Sequence, residues 1–133
     1  MTVGSLKSGW VARAAALLAA ATLEATPTLA HHSGAMFDYD RSVTLVGTVT
    51  QFQWTNPHCW IELTVPGPNG TSEEWSVEMG APLQLYQGGW KPGTLKPGDE
   101  IKVVVRPNRD ASVKAGLFVS AVDRDGRVLG KQP

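Results

Sequence analysis

The run Ser42 to Trp54 (SVTLVGTVTQFQW) constrains the fold most. It is rich in β-branched residues and alternates in places, as a half-buried strand does. Gly47 stands in its middle, where a strand bends sharply or bulges. A long strand with a central bend can curl through both sheets of a small barrel. The rest of the chain fits that architecture. Thr55-Asn56-Pro57 is a turn signal, and His58 to Val65 (HCWIELTV) is a second strand. Pro66 to Gly70 is a hairpin loop in which Asn69-Gly70 suits positive φ. Glu73 to Met79 is a third strand, with Trp75, Val77 and Met79 on one face. Ala81 to Gln87 reads as a short helix, with Pro82 in its first turn and Gly88-Gly89 at its stop. After a turn at Lys96 to Asp99, Glu100 to Arg106 is a fourth strand with Ile101, Val103 and Val105 inward. Gly116 to Asp123 is a fifth, and Asp125-Gly126 turns it back into Arg127 to Leu129. Three strands, a short helix and two strands is the order of an OB-fold, a five-stranded all-β Greek-key barrel with its helix between strands three and four. An open sandwich is the alternative arrangement of five short strands.

Ahead of the first strand the chain changes character. Lys7 and Arg13 precede an apolar run from Ala14 to Leu23, which Glu24 ends, and a small residue stands at Ala30. That pattern is a cleaved secretion signal, residues 1–30. The run is about half the ~20 residues that a bilayer-spanning helix needs. The expected product is a single periplasmic or secreted domain, residues 31–133, with no membrane insertion after cleavage. A cut after Ala25 would instead place Leu23 at the minus-three position and Pro27 second in the new chain, both unfavourable. His31 to Tyr39 reads as an irregular arm leading into the first strand.

Cleavage would leave ten of the twelve Lys and Arg and eleven of the twelve Asp and Glu, a net charge of about −1 with neutral histidines. No basic patch is visible, which argues against nucleic acid as a partner. Cys59 is the only cysteine, so no internal disulfide forms. Stability must come from the core, to which Trp54, Trp60, Trp75 and Trp90 are expected to contribute. None of the G-x-S-x-G, H-E-x-x-H, Walker or G-x-G-x-x-G motifs occurs.

Strand alternation sorts the residues that could carry chemistry. Cys59, Ile61 and Leu63 share one face of the second strand, and His58, Trp60 and Glu62 the other. The first face is expected in the core, with Cys59 a small buried apolar residue of raised pKa. The second, joined by Glu74, Ser76 and Glu78 of the third strand, is the surface on which OB-folds bind. Trp60, Glu62 and Ser76 form its candidate ligand face, suited to a polar or cationic ligand.

His31, His32 and His58 are all the histidines of the chain. If the mature chain starts at His31, its α-amine and ring nitrogen can chelate a metal, and His58 can add a third nitrogen. An all-nitrogen set of that kind suits Cu(II). His32 can alternatively chelate through its ring, backbone amide and the α-amine, with no help from the fold. The spacing matches no fixed zinc motif.

The run His31-His32-Ser33 with Met36-Phe37-Asp38, the strand Val43 to Val49, the block Phe52 to His58, then Gly89-Trp90 and Leu95 to Asp99, resembles a family of small secreted bacterial proteins catalogued as domain of unknown function 6152. The resemblance spans nearly all of residues 31–133, and Trp54-Thr55-Asn56-Pro57-His58 is its most specific part. It implies a signal peptide followed by a small β domain, and no established activity. His31, His32 and His58 are family-like, and it assigns no role to Cys59.

The expected function is therefore non-enzymatic: an exported barrel that binds a transition metal, copper as cofactor, through the mature amino terminus. The alternative is a module that binds a small molecule or a protein partner on the Trp60 face, without metal. A copper redox activity is the third class.

Overall fold

A computed structural model describes residues 34–131. The expected leader and both amino-terminal histidines lie outside the described residues. Five strands, β1 (Val43–Gln53), β2 (Trp60–Pro66), β3 (Ser72–Glu78), β4 (Glu100–Pro107) and β5 (Ala115–Asp123), close into a barrel of order β1-β2-β3-β5-β4. All neighbours pair antiparallel except β3 and β5, which run parallel. One short helix, α1 (Pro82–Gln87), lies between β3 and β4. This is the OB architecture expected from the element order, and the open sandwich is set aside by the barrel's closure.

β1 curls as its glycine implies. Its first half pairs with β4, from Val43 opposite Val105 to Thr48 opposite Glu100. Its second half pairs with β2, from Thr48 opposite Thr64 to Gln53 opposite Trp60, with the register shifting between Val49 and Gln51. Gly47 sits just before the handover. A Cβ there would lie 2.7 Å from the Thr64 carbonyl oxygen and 3.0 Å from Val65 Cγ2. Close backbone approach is thus the reason for glycine at this point.

The barrel is filled by alternation. Cys59, Ile61 and Leu63 meet Trp75, Val77 and Met79, and Ile101, Val103 and Val105 meet Phe118 and Ala121, all buried. Leu85 of α1 is buried too, while Leu83 and Tyr86 of the same helix face outward. Of the four tryptophans only Trp60 stays out of the core, on the outer face that strand alternation assigns it. Trp75 and Trp90 are buried, whereas Trp54 and Trp60 are only partly covered, Trp54 packing on the edge of the core. The reason is parity: Trp60 occupies an outward position of β2, and Trp54 follows the end of β1. Trp90 lies edge-on to Phe118, with ring centroids 5.4 Å apart, and its Nε1–H has no hydrogen-bond partner among the described residues. Gly130 (φ 55°) covers it so closely that a Cβ there would overlap the indole.

The segment ahead of β1 is more than an irregular arm. Gly34–Met36 makes one 3-10 turn, and Phe37 then pairs with Asn108 as an isolated bridge. Phe37 is 2% exposed, a burial worth about 1.5–3 kcal/mol. Asp38 N–H donates to the Pro107 carbonyl (2.8 Å), and Arg109 N–H donates to the Met36 carbonyl (2.8 Å).

Candidate functional site

Two loops adjoin the β2–β3 ladder, Cys59 of one bonding Met79 and Gly80 and Lys114 of the other bonding Ser76. Residues 54–59 join β1 to β2, and residues 108–114 join β4 to β5. The first contains the Thr55-Asn56-Pro57 turn, with a cis peptide before Pro57, and ends on His58 and Cys59. β2 begins at Trp60, two residues later than expected. Cys59 nevertheless continues the ladder direction, its N–H donating to the Gly80 carbonyl and its carbonyl accepting from Met79. The inward–outward alternation therefore extends through both residues.

Cys59 points into the core with no exposure, and burial pushes its thiol above the ordinary range. It is free, and the thiolate is disfavoured. His58 points the other way, with 40% of its side chain exposed. The two neighbours cannot share a metal.

On the outer face the cross-strand rows are legible from the register. Trp60 lies between Gln53 and Glu78, and Glu62 between Gln51 and Ser76. The carboxylates are engaged. Glu62 accepts from Ser76 Oγ (2.5 Å) and from Gln53 Nε2 (3.3 Å), and Glu74 accepts from Thr64 Oγ1 (2.9 Å). Glu78 Oε1 accepts from His58 Nδ1. No lysine or arginine stands at an outward position of β2 or β3. Trp60, Glu62 and Ser76 thus come together on one face, with His58 at its edge.

The arm meets the start of the β4–β5 loop. Phe37 pairs with Asn108, Asn108 N–H donates to the Ala115 carbonyl, Ala115 stands opposite Ser76, and Ser76 opposite Glu62. Arg109 Nε also donates to the Ala35 carbonyl (3.2 Å). The turn is tight: a Cβ on Gly34 would overlap the Tyr39 hydroxyl. So the arm that leads into β1 is tied to the start of the β4–β5 loop. Periodicity does not reveal this anchoring of Phe37, because a single aromatic in an irregular stretch has no pattern to report. Nor does it reveal the His58–Glu78 contact, although alternation puts both residues on one face.

Among the described residues no three His, Cys, Asp or Glu side chains cluster as a metal site. A cleft of about 270 Å³ lies elsewhere, lined among others by Leu95, Ile101, Leu129, Asp99, Asp123 and Arg127. Its acids serve the adjoining turns: Asp123 accepts from the Arg127 and Asp125 amides (2.9 Å each) and from Arg127 Nε (2.7 Å). These bonds from Arg127 and Asp125 hold the Asp123 carboxyl below its ordinary range.

Comparison with protein families places the chain. Residues 18–118 match the model of a family described as "Family of unknown function (DUF6152)". The chain belongs to that family. The match ends inside β5 and covers four of the five strands whole, so the closed barrel with its short helix is a structure of a family member. Searches of curated proteins and of solved structures gave no match.

Proposed function

We propose that the protein is exported and binds one Cu(II) ion per chain through the mature amino terminus, with His58 supplying a nitrogen from the barrel. The observation that carries this reading is His58 itself, partly exposed at the edge of the outer face with no hydrogen bond to its Nε2 among the described residues. His58 belongs to the β1–β2 loop, at the start of β2. The outward positions of β2 and β3 hold carboxylates beside that imidazole and no lysine or arginine, which favours a cation over a polyanion. Nitrogen ligands and a high place in the divalent affinity order favour copper over zinc.

Binding of this kind requires a free α-amine at His31. Intact-mass analysis of protein recovered after export should give a chain starting there. A start at Thr26, or an uncleaved chain, removes the amine ligand and the reading with it. A copper titration then compares three proteins. One extra residue before His31 should weaken binding more than His58→Ala, because it displaces the amine from its chelate ring. Binding should also weaken in acid, since each ligand nitrogen must be free of a proton. Equal affinity in all three proteins would instead favour a ligand-binding face centred on Trp60.

A further inference from the structure

The His58 ring has two nitrogens, and only one of them is spoken for. Nδ1 contacts Glu78 Oε1, and no hydrogen bond to Nε2 occurs among the described residues. A carboxylate can only accept, so the proton of the neutral imidazole is on Nδ1 and the lone pair on Nε2. Glu78 is well placed to enforce this. It sits on β3 opposite Trp60, and only 14% of its side chain is exposed, against 40% for His58. The described residues offer it no other cation. Lys114 is paired with Glu73 (3.0 Å), and Arg106 donates to the Arg41 carbonyl and Ser42 Oγ. A partly buried carboxylate without a cationic partner is costly unless hydrogen-bonded, and His58 is what satisfies it.

We propose that Glu78 is a positioning residue of the metal site: it fixes the His58 tautomer and ring orientation so that Nε2, turned away from the sheet contact, is the nitrogen offered to copper. This role rests on the copper reading of the amino terminus. The barrel then contributes a pre-set donor atom and does not merely carry a flexible histidine. Carboxylate–histidine–metal arrangements work this way, and loss of the outer carboxylate costs about 10–100-fold in metal affinity. A plain surface ion pair would have no such effect, and its loss would change little.

Two readouts separate the possibilities. Long-range nitrogen–proton NMR of the metal-free protein reads the tautomer of the neutral ring directly. His58 should be Nδ1-protonated in the native protein and in Glu78→Gln, whose amide oxygen still accepts, but not in Glu78→Ala. A Cu(II) titration of the exported chain should then show about a 10–100-fold loss for Glu78→Ala, with most of it restored in Glu78→Gln. Thermal unfolding of each variant without metal serves as the folding control. An Nε2-protonated His58 in the native protein overturns the proposal, whatever copper does. So does a titration in which His58→Ala loses affinity and Glu78→Ala does not, a result that leaves the copper reading standing. If His58→Ala itself binds copper like the native chain, His58 is no ligand, and both the Glu78 role and the barrel's part in the site fall together.

Discussion

The two faces of the β2–β3 hairpin are built from alternate residues of the same short segments, yet they are chemically opposite. Inward stand Cys59, Ile61, Leu63, Trp75 and Val77, none more than 9% exposed. Outward stand His58, Trp60, Glu62, Ser76 and Glu78, every one partly exposed and four of them joined in side-chain hydrogen bonds. The pleat alone makes the division. Proximity in sequence therefore says little about shared chemistry on a strand. His58 and Cys59 are adjacent, but one is an open nitrogen donor and the other a sealed thiol.

Truncating one residue on each face puts this contrast under the greatest load. Leu63→Ala should cost about 2–5 kcal/mol, as lost burial and a cavity add. Glu62→Ala removes hydrogen bonds at a partly solvated site and should cost about 0.5–1.5 kcal/mol. Urea unfolding measures both, and comparable losses would mean that the outer face is structural after all. Gly47→Val comes next, at about 1–3 kcal/mol, because its side chain would meet the Thr64 carbonyl where β1 changes partners. A neutral result there would show that β1 crosses β2 less closely than the barrel requires.

Cys59 gives the smallest and most specific effect. The native thiol should resist labelling reagents until the protein unfolds. Its pKa is raised by burial above the ordinary 9.0, so the unfolded chain loses this proton first as pH rises. The Cys59 contribution is therefore fully present below about pH 9 and declines above it. Comparing stability against pH for the native chain and Cys59→Ala isolates that slope from other groups. Rapid labelling without denaturant would invert the face assignment, and His58 would turn inward with it.

Much of the fold is legible in the residues, for reasons that differ by region. The order of elements, the central bend at Gly47 and the face of each strand follow from period-two patterning and turn residues, and Asn69 and Gly70 do take positive φ. The parallel pairing of β3 with β5 has no local signature, since it joins segments separated by α1 and β4. The burial of Phe37 is likewise a tertiary fact: it depends on the bridge to Asn108, far along the chain. The Glu78–His58 contact is legible only as a shared face, because alternation places residues on a surface without saying which side chains reach one another.

Whether this outer face and the amino terminus act together is decided by electron paramagnetic resonance of the exported protein loaded with one equivalent of Cu(II). A single tetragonal copper signal with three coordinated nitrogens is expected, one of which disappears in His58→Ala. An identical spectrum in His58→Ala would contradict joint action, leaving any bound copper to the amino-terminal residues alone.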